Sequence, residues 1–122
     1  MTMQSEIDKA LLAHGAWKQR LSSAINSGSS DFQVTQVQVD NLCEFGRWFY
    51  SLPEANRTSA GCQKIQKLHA DFHAEAARIL DLAITGRKDE AVAALAPGSR
   101  FTSLSGQLMM ALNQWKRDLN QP

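Results

Sequence analysis

The stretch TSAGCQKIQKLHADFHAEAARILDLAIT, residues 58–85, decides the fold of this chain. Its apolar residues return every three or four positions, which is the period of one face of an α-helix. Gly86 follows directly, and glycine is the residue that most often ends a helix in a left-handed conformation. A helix of this length needs partner helices to cover its apolar face. That face carries Ile65, His69, Phe72, Ala76, Ile79 and Ala83.

The segment before it has the same helical period over much of its length. We predict a first helix from about residue 5 to 26, in which Ser5 and Asp8 form a weak capping box. It ends in Asn26-Ser27-Gly28-Ser29-Ser30, a cluster of turn-forming residues. Residues 34–39 then alternate between apolar and polar, so a short strand is possible. Since a lone strand would have no pairing partner, we interpret this segment as a connector.

Three further helices are predicted. Asp40 is a candidate cap for a second helix that ends before Pro53, which would place Cys43 in the first turn. A short helix around Ala91–Leu95 breaks at Pro97, and Ser99 caps a last helix. The predicted fold is all-α, an antiparallel four-helix bundle with a short extra helix, in a single domain over 1–122. The inner face of the last helix carries Phe101, Leu104, Leu108, Leu112, Trp115 and Leu119.

Composition excludes several classes of function. The chain has 122 residues, of which 13 are basic and 12 acidic, for a formal charge of +1, and no long run of either sign. A nucleic-acid partner is therefore not expected. No apolar stretch approaches the ~20 residues of a membrane span, and residues 1–6 do not resemble a signal peptide. Two cysteines without a secretory signal favour a reducing compartment, so we expect a cytoplasmic protein.

The strongest indication of function is the placement of four side chains: His14, Cys43, His69 and His73. They include every histidine of the chain, and they fall on three predicted helices. His69 and His73 lie one turn apart on the same helix face, where both imidazoles can hold one metal ion. A single buried histidine usually bonds a backbone carbonyl, but several unpaired imidazoles are costly to bury. Four nitrogen and sulfur donors from three helices suit a tetrahedral Zn²⁺ site.

Cys43 has an ordinary alternative, because free cysteine often packs as a small hydrophobic residue. Gly46 lies three residues further along on nearly the same face. A glycine inside an apolar helix costs about 1 kcal/mol relative to alanine. We therefore expect a neighbouring helix to come close there. Cys62 lies in a polar stretch and is interpreted as incidental.

These residues carry a resemblance. Leu42-Cys43-Glu44-Phe45-Gly46-Arg47-Trp48, with His14 and Trp17 upstream and His69-x-x-x-His73 and Gly98-Ser99-x-Phe101 downstream, resembles the chemoreceptor zinc-binding (CZB) family. The resemblance implies a helical bundle that holds one zinc through three histidines and one cysteine. In this chain the implied ligands are His14, Cys43, His69 and His73. Family members are cytoplasmic modules of bacterial chemoreceptors and diguanylate cyclases that sense zinc or hypochlorous acid.

An enzyme is not expected. Four protein ligands close the tetrahedron and leave no position for a substrate. The metallopeptidase motif His-Glu-x-x-His needs a glutamate where this chain has Ala70. The favoured function is a regulatory module that senses zinc or oxidants. A structural zinc bundle or zinc-buffering protein is the alternative, and a helical enzyme or carrier is the third possibility.

Two expectations concern partners. Phe32, Phe101 and Met109-Met110 exceed what one small core should absorb, so we expect a homodimer. The resemblance implies a signalling partner of the chemoreceptor or diguanylate cyclase type. Neither a signalling helix nor a cyclase domain lies within these residues, so we expect a stand-alone member or an excised domain.

Overall fold

The computed structural model describes residues 2–119, which form helices and contain no strand. The predicted all-α class is therefore confirmed, whereas the antiparallel four-helix arrangement stays a prediction. Residues 34–39 form no strand, as the interpretation of this segment as a connector predicted, but the connector contains one helical turn. The helices are α1 (Met3–Gly15), α2 (Trp17–Ser27), α3 (Val34–Val37), α4 (Glu44–Ser51), α5 (Glu54–Arg57), α6 (Ala60–Ile84), α7 (Lys88–Leu95) and α8 (Arg100–Leu119).

The predicted first helix is two segments, because the helix is interrupted at Ala16 between α1 and α2. Its predicted cap is also wrong. Thr2 caps α1, since its hydroxyl accepts a hydrogen bond from the Ser5 N–H at 3.0 Å. Ser5 lies inside α1, past the cap position, and its hydroxyl donates back to the Thr2 carbonyl at 2.9 Å. The end of α2 falls as predicted, where Gly28 adopts a left-handed conformation with φ of 71°.

The second predicted helix, α4, is capped differently from our expectation. Cys43 itself is the N-cap, and its Sγ accepts the Gly46 N–H at 3.3 Å. The prediction that Asp40 caps this helix is wrong, because the Asp40 carboxylate accepts the Tyr50 hydroxyl at 2.5 Å instead. Cys43 thus precedes the first turn of α4 rather than lying in it.

The core is built around α6. This helix packs against α2, α3, α7 and α8, while α1 packs against α8 and α4. Ser59 caps α6, Gly86 follows its end with φ of 82°, and Ser99 caps α8 through the Thr102 N–H. Cys62 is buried, so it is a core residue. The largest fully buried side chains are Ile7, Leu21, Phe49, Ile65, Phe72, Ile79, Leu80, Phe101, Leu108 and Leu112.

Only some of the apolar side chains that suggested a dimer are exposed on the surface. Phe101 is 2% exposed and its ring packs 5.3 Å from that of Phe72, so it belongs to the core. Phe32 and Met110 remain exposed, at 43% and 72%. The homodimer therefore stays a prediction. Within residues 2–119, no helix has both the length and the apolar character that crossing a membrane requires.

Candidate metal centre

Four donor atoms converge at the junction of α1, α4 and α6. His69 lies at the centre of the group, with its Nε2 3.1 Å from the Nε2 of His14 and 3.1 Å from the Nε2 of His73. The Sγ of Cys43 is 3.3 Å from the same nitrogen. All four donor atoms lie within 4.8 Å of one another. Ligands around a tetrahedral Zn²⁺ are separated by about 3.3–3.7 Å, given Zn–N and Zn–S bonds of roughly 2.0 and 2.3 Å. The group therefore fits one metal ion after small side-chain adjustments.

Three separate elements supply the donors. His14 comes from the last turn of α1, and His69 and His73 come from successive turns of α6. Cys43 comes from the N-cap of α4 and is only partly buried, whereas the three histidines are buried. The structure thus brings together all four predicted residues. That they bind a metal stays a prediction at this point.

The far ring nitrogens fix how two imidazoles are protonated. His14 Nδ1 lies 2.8 Å from the Ala10 carbonyl oxygen, and His73 Nδ1 lies 2.9 Å from that of Val37. A carbonyl oxygen can only accept, so both Nδ1 atoms donate, and both Nε2 atoms present lone pairs to the centre. His69 Nε2 carries at most one proton and cannot satisfy both of them. A bound cation would satisfy all of these lone pairs together. Histidines that bind metals usually donate their other ring N–H to a carbonyl or carboxylate, as His14 and His73 do here.

Burial determines the protonation states of the four donor residues. Desolvation, aided by the neighbouring imidazoles, lowers the pKa of His69 to about 2. Desolvation also lowers the pKa of His14 to about 4 and that of His73 below its usual value. The same effect raises the pKa of the Cys43 thiol. At neutral pH the histidines are therefore in the neutral form that metals require, and the thiol keeps its proton until a metal displaces it.

Gly46 is needed for this geometry, although not for the expected reason. A Cβ at position 46 would overlap the Asp40 carbonyl oxygen and lie 3.1 Å from the Asn41 Cα. The prediction that a neighbouring helix approaches Gly46 is wrong, since the close backbone belongs to the connector just before α4. That approach lets the chain turn so that Cys43 reaches the centre while the Gly46 N–H bonds its sulfur.

Aromatic rings form the apolar walls of the centre. The Phe45 ring lies 5.0 Å from the His69 ring and 6.0 Å from that of His14. The Phe72 ring lies 5.4 Å from the His14 ring on another side. All three contacts are edge-to-face, a favoured arrangement of aromatic pairs that restricts ring rotation. The imidazoles are thereby held in place before any metal arrives.

The fold and this centre define a helical protein with a three-histidine, one-cysteine group arranged to hold a metal ion. Residues 14–80, more than half of the chain, match the family model of the chemoreceptor zinc-binding domain. The chain therefore belongs to the chemoreceptor zinc-binding domain family, as its motifs predicted. All four donor residues lie within the matched region. Comparisons with curated proteins and with solved structures found no significant match.

Two hydrogen-bond partners of the site were not predicted from the sequence. One is the Val37 carbonyl, which orients His73 across a sequence separation of 36 residues. The other is the Gly46 amide on the sulfur of Cys43. The sequence held only a weak signal for the first, because Val37 is one of the apolar residues that alternate with polar ones over residues 34–39, and it is buried. Nothing in the local pattern assigned its carbonyl to a histidine.

Proposed function

We propose that this chain is a regulatory zinc-binding module that holds one Zn²⁺ through His14, Cys43, His69 and His73. The observation that carries the proposal is the convergence of these four donor atoms in a member of a zinc-binding family. When bound, Zn²⁺ would supply a positive charge that holds three elements together and keeps the thiol deprotonated. Mixed imidazole and thiolate donors in a closed tetrahedral group favour zinc over the hard cations, although copper can compete.

We propose no catalytic activity. Four protein donors fill a tetrahedron, whereas catalytic zinc sites keep one position for water or substrate. The four donor atoms lie within 4.8 Å of one another, so all four can bind one ion at once. The chain's role would then follow from whether the metal is bound and from the state of Cys43.

A regulatory role is favoured over a purely structural one by how the apolar core is distributed. Fully buried residues such as Leu80, Leu108 and Leu112 lie on α6 and α8 and belong to the apolar core. This core gives the long helices stability of their own. By contrast, α4 spans only eight residues, and its cap is the donor Cys43. Loss of metal would therefore affect α4 most and leave the rest folded.

The proposed signal is the zinc level, an oxidant, or both. A Cys43 thiolate can attack hypochlorous acid, with the sulfenic acid of Cys43 and a chloride ion as products. The oxidised sulfur is a poorer donor, so this arm of the tetrahedron weakens and α4 is released. Partial exposure of Cys43 gives the oxidant a route to the sulfur. The family context supports a cytoplasmic location, a homodimer, and an output to chemotaxis or cyclic-di-GMP synthesis through a chemoreceptor or diguanylate cyclase. No nucleic-acid or membrane partner is proposed.

The alternative is a zinc-stabilised bundle or a zinc buffer without signalling output. It predicts the same metal content but no conformational change of α4 on metal loss. Hydrogen exchange of zinc-loaded and zinc-free protein separates the two functions. Faster exchange confined to α4 and the connector supports regulation, while uniform loss of protection supports a structural metal.

The metal content and the oxidant response can be tested on one set of proteins. Metal analysis of purified protein should show close to one zinc per chain, and a folded wild type that holds none refutes the proposal. Limited hypochlorite should then oxidise Cys43 and release zinc, with exposed Met110 as an internal measure of oxidant dose. Cys62→Ala is the control and should respond like the wild type. If Met110 oxidises while Cys43 stays reduced and zinc stays bound, the redox part of the proposal is wrong.

A further inference from the structure

A cavity of about 420 Å³ leads from the surface to the metal centre. Three of the four donor residues line it, namely His14, Cys43 and His73. His69 is not part of its walls, so the cavity meets the centre at the other three donors. The metal-facing end of this cavity is therefore the place where an incoming ion first meets donor atoms.

A stack of three side chains forms the outer rim of the cavity. The rings of Trp17 and Phe32 lie 5.1 Å apart. The Arg20 guanidinium lies over both rings, 5.1 Å from the Trp17 centroid and 5.2 Å from that of Phe32. Such cation–π contacts hold a positive charge at a defined place beside the opening.

The charged residues that line the cavity are mostly cationic. Lys9, Arg20 and Arg47 line it, against one acidic residue, Glu44. Lys9 lies 3.7 Å from Glu6, which offsets part of its charge. A bound Zn²⁺ with one thiolate and three neutral imidazoles adds a further net positive charge at the inner end. A free zinc ion is therefore repelled by this route, whereas a negatively charged zinc complex is attracted.

We propose that this cavity is the port through which zinc is exchanged, and that its cations favour anionic multidentate carriers, of the polycarboxylate class, over neutral ones. The inference deepens the proposed function, because it rests on zinc binding at the four donors. During loading, the bonds from the ion to the carrier and to water break, and four bonds form to three imidazole nitrogens and one sulfur. The thiol proton of Cys43 passes to the carrier or to water. During unloading the same exchanges run in reverse.

The test compares two chelators of different charge on the zinc-loaded full chain. EDTA is anionic, and 1,10-phenanthroline is neutral. Zinc loss is followed by metal analysis of desalted samples taken over time, at low salt and again at high salt. The variants are Arg47→Gln and Arg20→Gln, which remove a cation, and Glu44→Gln, which removes the acidic group. Arg117→Gln on α8 lies outside the cavity and is the matched control, and Arg47→Lys keeps the charge.

We expect Arg47→Gln and Arg20→Gln to slow zinc extraction by EDTA about three- to tenfold at low salt, and Glu44→Gln to accelerate it similarly. Extraction by phenanthroline should change less than twofold in Arg47→Gln and Glu44→Gln. The EDTA differences should shrink at high salt, because the Debye length falls to roughly 3 Å at 1 M. Arg117→Gln and Arg47→Lys should match the wild type.

Equal effects on both chelators would overturn the inference, since the charges would then act on zinc affinity and not on the approach of an anion. Unchanged EDTA rates in Arg47→Gln and Glu44→Gln would overturn it as well. Neither result touches the proposed function if zinc is still held at one per chain. A wild type that holds no zinc refutes the proposed function and the exchange port together.

Discussion

Two regions of this molecule are stabilised in different ways. The pair α6 and α8, of 25 and 20 residues, is held together by fully buried apolar side chains such as Ile79 and Leu108. The region of residues 33–57 holds only short helices, in which Phe45 and Phe49 are buried and specific polar bonds supplement this smaller apolar contact. These bonds join Tyr50 to Asp40, Gly46 to Cys43, and Val37 to His73. Apolar packing tolerates loss of the metal, whereas a region that depends on a donor residue does not.

The largest expected effect comes from removing the central donor. His69→Ala deletes the nitrogen that lies within 3.3 Å of the three other donor atoms, so we expect zinc affinity to fall at least about 100-fold. Residues 33–51 should exchange amide hydrogens faster, while α8 keeps its protection. Competition with a zinc indicator and hydrogen-exchange mass spectrometry measure both effects. Cys62→Ala, also a buried residue of α6, is the control for a change in the core, and near-wild-type affinity in His69→Ala would contradict the proposed site.

Leu108→Ala should destabilise the region formed by α6 and α8 without changing zinc binding, and so separate stability from metal affinity. Leu108 is fully buried on α8, so its truncation should lower the free energy of unfolding by about 2–5 kcal/mol. Zinc should still bind at one per chain, because Leu108 supplies no donor atom and the four donors come from α1, α4 and α6. Denaturant unfolding and metal analysis on the same preparation test this. Loss of zinc from folded Leu108→Ala would show that the two regions are coupled.

Two glycines give a smaller and oppositely directed pair of effects. Gly46→Ala forces a methyl group into the Asp40 carbonyl, and overpacking of this kind costs about 1–3 kcal/mol. Because the connector must then shift, zinc affinity should fall too. Gly106→Ala lies in the interior of α8 with nothing within 4 Å of the added Cβ, so it should stabilise the protein by about 0.5–1 kcal/mol. If both variants were stabilised, the close approach at Gly46 would be refuted. Thermal unfolding with and without zinc is the measurement.

The smallest expected effect is the release of a single proton when zinc binds. Burial lowers the pKa of His14 to about 4 and that of His69 to about 2, and it raises the pKa of Cys43. Burial also lowers the pKa of His73 below its usual value, so between pH 7 and 8 zinc displaces a proton only from the Cys43 thiol. Zinc affinity should rise about tenfold per pH unit over this range. Calorimetry in buffers of different ionisation enthalpy counts the proton. Cys43→Ala should release none, and two or more protons from the wild type would contradict these pKa directions.

The region held by apolar packing was also the easier one to predict. The ends of α6 and α8 follow from Ser59, Gly86 and Ser99, since capping and left-handed glycine are local effects. In the region of residues 33–57, the wrong predictions concern which groups contact each other. Asp40 was predicted as a cap but bonds Tyr50, and the backbone near Gly46 belongs to the connector. An irregular segment has no period, so its partners cannot be derived from spacing.

The sequence by itself determined the helical class and singled out the four residues that the structure brings together as a candidate metal centre. Helical periodicity is local, and the chain has no other histidine from which to choose. Only the tertiary structure decided that Cys43 caps α4, that Val37 orients His73, and that a cavity with cationic walls reaches the centre. The physical reason is the same in each case. These features depend on contacts made when segments far apart in the chain fold against each other, or when an aperiodic loop turns back on a helix.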